Sequence, residues 1–237
     1  MKNASNFLLC ATLLSVVACG NNNDSKSAPV SQNLLLTQAG HYQATLSPLN
    51  AHLAGDVAGS ALVKVKGDSL SVEVKVNGSP AQISHGQSIH IADSCPTLSS
   101  DTNKDGVIDG VEGQKSYGPV IIPLDSDIRT QIEKDIRFPT SDFSGNYYYR
   151  QQASISEMMK DLTAKDFDTS DNLVKIRSSL GLTGRQVVIY GVANDVAIPS
   201  SVSAINGQTK SASLPIACGT LIKIAVNEGT NSNGGKD

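Results

Sequence analysis

Apolar and polar positions alternate most clearly over residues 61–66 and 69–76. Val63, Val65, Leu70, Val72, Val74 and Val76 fall on one face, and Lys64, Lys66, Ser71, Glu73 and Lys75 on the other. Successive side chains of a strand point to opposite faces, so this pattern predicts a half-buried hairpin about a Gly67-Asp68 turn. Asn77-Gly78 ends its second arm. A looser alternation predicts a strand over 40–48, and short apolar runs predict strands over 88–91 and 120–124. The unbroken run at 187–192 predicts a strand buried on both faces, and 221–226 closes the set. Met158, Met159 and Leu162 sit at helical spacing, so 156–162 predicts a helix capped by Ser154 or Ser156. Residues 171–180 are expected to hold a second short helix. No internal repeat is present. Short strands, glycine-rich turns and few helices predict a mainly β fold, a Greek-key barrel or sandwich.

The chain has 237 residues, of which 39% are hydrophobic, enough for one domain with a substantial core. Its net charge is −3 with no basic block, so nucleic acid is not an expected partner. There is no Trp and aromatics are 4%, which argues against a stacking platform for sugars or bases.

Lys2 precedes an apolar run over 7–18 that is too short to span a bilayer but suits a signal-peptide core. The run ends in Val16-Val17-Ala18-Cys19, which resembles the bacterial lipobox. The resemblance implies removal of residues 1–18 and fatty acylation, palmitate included, of Cys19 as the new N-terminus. Gly20, which is not Asp, implies sorting to the outer membrane, with either face open. An ordinary secretory signal is the other reading. Residues 19–38 are expected to be a flexible tether, 39–226 the β domain and 227–237 a disordered tail.

Four cysteines are present. Cys10 leaves with the leader and Cys19 carries lipid, so Cys95 and Cys218 remain. In an oxidising envelope compartment they are expected to form one disulfide. The alternative, a cysteine metal site, lacks any C-x-x-C spacing.

Residues 101–112 read Asp-Thr-Asn-Lys-Asp-Gly-Val-Ile-Asp-Gly-Val-Glu. They resemble the EF-hand calcium loop at every restricted position. Calcium seeks six to eight oxygens. Asp101, Asn103 and Asp105 would offer side-chain oxygens, Val107 its carbonyl, Asp109 a ligand often mediated by water, and Glu112 both carboxylate oxygens. Gly106 permits the sharp turn. The flanks depart from the family: residues 95–100 make a poor entering helix, and 113–116 allow only a short exiting one. No second loop exists to pair with it. Calcium is therefore the expected cofactor, with a structural role in ordering an insert over about 96–183.

Two further segments are similar to the Cu/Zn superoxide dismutase superfamily. Ser84-His85-Gly86-Gln87-Ser88-Ile89-His90 leading to Cys95 resembles its metal-binding strand and disulfide cysteine. Arg185-Gln186-Val187-Val188-Ile189-Tyr190 and Ala217-Cys218-Gly219 resemble its closing strands. The likeness covers roughly 39–95 and 184–224. It implies a superoxide dismutase-like (SOD-like) Greek-key domain. His90 matches one copper ligand, but Ser88 and Tyr190 stand where the family has histidines, and Pro215 where it has a substrate-guiding Arg. No His follows His90, so the family's zinc ligands have no counterpart. Copper and zinc are not expected, although His85 and His90 remain candidate residual metal ligands. In the insert, Phe138-Pro139 and residues 145–150 read either as a groove lining or as core and edge packing. No G-x-S-x-G marks a hydrolase.

The expected protein is a calcium-binding envelope lipoprotein whose SOD-like β domain is catalytically inactive. It would be a structural or binding module, anchored in the bilayer through Cys19, for an unidentified protein or surface ligand. Two alternatives are a metalloenzyme of altered transition-metal chemistry using His52, His85 and His90, and a calcium-dependent surface adhesion module.

Overall fold

The computed structural model describes residues 39–92, 94–130, 137–163, 167–168, 173–174, 180–205 and 207–225, with 167–168 and 173–174 as backbone only. The expected leader 1–18, the tether with Cys19 and the tail 227–237 lie outside them.

The fold is mainly β. The strands are β1 (Gly40–Pro48), β2 (Ala58–Lys66), β3 (Ser69–Asn77), β4 (Gln87–His90), β5 (Val120–Pro123), β6 (Tyr147–Ser154), β7 (Phe167–Asp168), β8 (Leu173–Val174), β9 (Gln186–Tyr190), β10 (Pro215–Thr220) and β11 (Ile222–Ile224). Among the described residues four short α-helices interrupt them, α1 (Ala51–Ala54), α2 (Gly110–Tyr117), α3 (Ile155–Thr163) and α4 (Lys210–Ser213), with one 3-10 helix at Leu98–Ser100. Nine strands form one antiparallel sheet in the order β5-β4-β9-β10-β1-β2-β3-β6, with β11 also on β1. The two ends of the sheet curl towards each other. Tyr147 Oη donates to Gln87 Oε1 at 3.2 Å and Tyr149 Oη to the Asp125 carbonyl at 2.8 Å, so side chains rather than a ladder close the half-barrel. No helix among the described residues is long and apolar enough to cross a membrane.

The β2–β3 hairpin turns at Gly67-Asp68 as its alternation predicts, and its apolar set is buried. Asp68 does more than turn the chain. Its carboxylate accepts from Ser156 N at 2.8 Å and Ser154 Oγ accepts from Glu157 N at 3.2 Å, so a side chain of the distant hairpin shares the start of α3 with Ser154. That helix lays Ile155, Met158, Met159 and Leu162 on the core. The helix expected over 171–180 is corrected where it is described: Leu173–Val174 pairs with β7 as a strand. The other positions of that expectation, up to 179, lie outside the described residues.

Strands β4, β9 and β10 are buried on both faces. Ile89, Val187 and Ile189 face the main core. Val188, Tyr190 and Cys218 face outward into a second cluster with Tyr117, Leu49, Cys95 and Ile205. This cover comes from the insert and from the segment before α4, and it explains why the sequence of β9 is an unbroken apolar run. The Cys95–Cys218 disulfide joins the start of the insert to β10.

Candidate functional site: an acidic loop and the cavity beside it

Residues 101–112 wind into a closed loop in front of α2. Asp101 Oδ1 accepts from Lys104 N at 2.7 Å and Asp105 N at 3.3 Å, and Oδ2 from Gly106 N at 2.9 Å. Asn103 Oδ1 accepts from Asp105 N, and Asp105 Oδ1 from Val107 N, both at 2.9 Å. Gly106 has φ 84° with open space where a Cβ would stand, so its requirement is conformational, not steric. Asp109 caps α2, accepting from Val111 N and Glu112 N at 2.9 Å each. Glu112 reaches back across the loop. Its Oε1 accepts from Thr102 N at 2.7 Å and Thr102 Oγ1 at 2.8 Å, and its Oε2 from Asp109 N at 3.2 Å.

Three outside groups hold the loop to the barrel. Asn50, in the left-handed region at φ 52°, accepts from Ile108 N at 2.9 Å and donates to the Ile108 and Pro215 carbonyls at 2.8 and 3.0 Å. Ser203 N donates to Asp109 Oδ2 at 2.7 Å, and Ser201 Oγ donates to Asp105 Oδ2. Ile205 packs so closely on Gly110 that any Cβ there would meet its Cγ1 at 2.6 Å.

Asp109 and Glu112 are buried at 2% and 5% exposure. Among the described residues none of the four loop acids forms an ion pair. Burial works to raise the Glu112 pKa, but the donors from Thr102, Asp109 and Asn103 together outweigh it and hold the group below its ordinary value. At Asp105 the Ser201 hydroxyl is the main cause of a lowered pKa. Among the described residues no three His, Cys, Asp or Glu side chains stand grouped closely enough to hold a metal ion. The loop carboxylates are drawn instead to N–H groups. Asp101 Oδ1 and Glu112 Oε1 already accept two or more such bonds, whereas Asp101 Oδ2, both Asp105 oxygens and Glu112 Oε2 accept one each and keep a further lone pair.

On the outer face of β4 and β9 the three positions likened to copper ligands do meet. His90 Nδ1 donates to the Gly118 carbonyl at 2.6 Å, which leaves Nε2 as an acceptor. Ser88 Oγ lies 2.8 Å and Tyr190 Oη 3.1 Å from that Nε2. Tyr117 packs edge-on against His90 and donates from Oη to the Gly110 carbonyl at 3.1 Å. Burial raises the pKa of both Tyr117 and Tyr190, keeping them neutral phenols. A cavity of about 170 Å³ opens above these groups. Phe138 lines it, as the groove reading expects, while Tyr147 and Tyr149 are core residues on an edge strand. A larger open groove of about 750 Å³ lies over Asp68, Asp127 and Arg129, but there Arg129 pairs with Asp127 at 2.7 Å within the groove.

His85 is not part of this cluster. It lies on the other side of the sheet, stacked on Tyr147, with Nδ1 3.0 Å from the Tyr190 carbonyl and Nε2 3.0 Å from the Pro80 carbonyl. Ring nitrogens of both histidines are engaged by protein groups, and His52 is exposed on α1. Asn50, Ser201 and Ser203 carry no local signal in the sequence. The Tyr117–Tyr190 contact joins two residues whose proximity only the folded sheet reveals.

Burial pushes His90 down from 6.5 to about 4, the Gly118 carbonyl offsetting only part of the effect. The unfolded chain therefore binds a proton that the folded chain refuses between these values. Stability must fall as pH drops from about 6.5 towards 4, by about 2 kcal/mol between pH 7 and pH 5 from His90 alone. The lowered His85 adds in the same direction. Urea unfolding at both pH values, repeated on His90→Gln, checks this; an unchanged pH slope in the variant refutes the assignment.

No protein-family model matches the chain, and no curated protein sequence is similar to it. Among solved structures, one that it resembles is a double mutant of a SOD-like protein from Bacillus subtilis. The identity is 14% with a TM-score of 0.39, over 76% of this chain and 96% of that one.

Proposed function

We propose that this chain is a calcium-binding lipoprotein of the cell envelope, held at the outer membrane through acylated Cys19. Its β domain is a catalytically inactive SOD-like module with a structural or binding role. The observation that carries this reading is the loop at 101–112: four acids, two of them buried, with no cationic partner among the described residues. Like charges held together without a counter-ion destabilise a fold, and a divalent cation removes that penalty. Asp101, Asn103, Asp105, the Val107 carbonyl and Glu112 are the groups that would hold calcium, with Asp109 acting through water. The ion supplies charge neutralisation and a fixed loop. Beside the loop, across α2, a single imidazole, His90, faces hydroxyls rather than a second and third imidazole. That donor set is a poor one for copper or zinc.

The affinity expected of an extracellular site is about 10⁻⁴–10⁻³ M. At a hundredfold excess over Kd, calcium would stabilise the fold by about 2.7 kcal/mol. That corresponds to a rise in Tm of roughly 5–10 °C for a domain of this size. Glu112→Gln removes the charged bidentate ligand and is expected to abolish most of the rise. Melting in calcium and in chelator, with metal analysis of the purified chain, provides the test. Equal melting in both buffers, or stoichiometric copper retained through purification, would overturn the proposal.

A further inference from the structure

We propose that the cavity over β4 and β9 is a binding site for a small uncharged ring compound bearing one O–H or N–H donor, of the phenol or indole kind. This inference does not rest on the calcium reading. The cavity volume of about 170 Å³ sets the size. A cavity of roughly 150 Å³ in another protein admits benzene, so one ring system fits here and a sugar chain or peptide does not. The walls set the polarity. Val120, Pro123, Phe138 and Ile205 are apolar, the exposed amides of Gln114 and Gln208 line part of the space, and no charged side chain among the described residues does. An ionised ligand would lose much of its hydration with no opposite charge to replace it.

The floor sets the hydrogen bond. His90 Nδ1–H is committed to the Gly118 carbonyl at 2.6 Å, and the Tyr117 hydroxyl to the Gly110 carbonyl at 3.1 Å. The single Nε2 lone pair of His90 takes the proton of Ser88 Oγ, 2.8 Å away. The Tyr190 hydroxyl lies within reach of the same Nε2 at 3.1 Å, with the Ser88 and Tyr117 hydroxyls as its other polar neighbours. The hydroxyl hydrogens of Ser88 and Tyr190 thus have acceptors in His90 Nε2 and in the neighbouring hydroxyl oxygens. The capacity left over is lone pairs, on Ser88 Oγ and Tyr190 Oη. A ligand that donates one hydrogen bond satisfies them, and a purely apolar ring leaves them unmet. Such a site selects by the presence of the donor, because the rejected analogue strands buried polar groups.

Fluorine NMR of the full chain with 4-fluorophenol, fluorobenzene and 4-fluorobenzoate tests this. Ala212→Phe, on the exposed side of α4 at the cavity wall, fills the space and supplies the baseline for non-specific partition. The expected result is 4-fluorophenol binding with Kd of about 0.1–1 mM, at least about tenfold tighter than fluorobenzene, with no benzoate binding and no signal above baseline in Ala212→Phe. Ser88→Ala is expected to weaken 4-fluorophenol about fivefold and leave fluorobenzene unchanged. Equal affinity for phenol and benzene probes, persistence in Ala212→Phe, or no probe bound above that baseline, which would mean a water-filled space, each overturns the proposal. Running the titration with calcium and with chelator separates it from the loop: phenol binding without any calcium response would leave this site standing and remove the calcium reading.

Discussion

Replacing Cys95 and Cys218 together by Ala is expected to lower the unfolding free energy by about 4 kcal/mol and Tm by roughly 10 °C. The bridge spans 123 residues of sequence with its Cα atoms 5.8 Å apart. A link of that length removes much of the freedom of the unfolded chain, and the chain-entropy relation puts its ceiling at about 4.7 kcal/mol for a loop near this size. The bridge also acts in the native state. It pins the first residues of the insert over β9, where Tyr117, Val188, Tyr190 and Ile205 form the outer cluster. Losing it frees the very segment that leads into the acidic loop. Each single Ala variant should therefore cost nearly as much as the pair, since either one breaks the same bond. Denaturant unfolding of the two singles and the double provides the measurement. A double variant within about 1 kcal/mol of the parent, or singles that add, would show that packing rather than the bond holds this face.

The same two-faced burial explains which parts of the fold are legible in the sequence. The β2–β3 hairpin is legible because one face meets the core and the other meets water, so its residues alternate. Strand β9 is legible only as an apolar run, since Val187 and Ile189 face one cluster and Val188 and Tyr190 the other. Strand β6 hides because Tyr148 is 54% exposed between the buried Tyr147 and Tyr149, and three consecutive tyrosines erase the alternation. The two candidate histidines teach a similar lesson. They are five positions apart, an odd number, and extended backbone sends such residues to opposite faces. His85 accordingly stacks on Tyr147 and His90 on Tyr117. The acidic loop is legible because its turns are local: Asp101, Asp105 and Asp109 serve N–H groups a few residues on, and Glu112 reaches back to close the same twelve residues. What fixes it to the barrel is not, because those partners come from far along the chain.

Asn50→Ala is expected to destabilise the fold by about 4 kcal/mol, more than most single substitutions do. One buried amide holds three backbone groups at once: Ile108 N, the Ile108 carbonyl and the Pro215 carbonyl. Truncation strands them in a site that is 9% exposed, at about 1–3 kcal/mol for each group left unsatisfied. Ala must also adopt φ 52°, a left-handed conformation that costs about 1 kcal/mol or more without Asn or Gly. Asn50→Gly separates the two effects, because it keeps the backbone at ease and loses only the amide. Asn50→Asp keeps an acceptor for Ile108 N but turns a second oxygen on two carbonyls, and should be no better than Gly. The amide satisfies both the N–H and the carbonyl of Ile108 and ties the acidic loop to β10 through the Pro215 carbonyl. On the calcium reading proposed above, the substitution should also shrink the expected calcium-induced rise in Tm, whereas a defect confined to the barrel would lower Tm equally with calcium and with chelator. Melting of the three variants in both buffers decides between those outcomes.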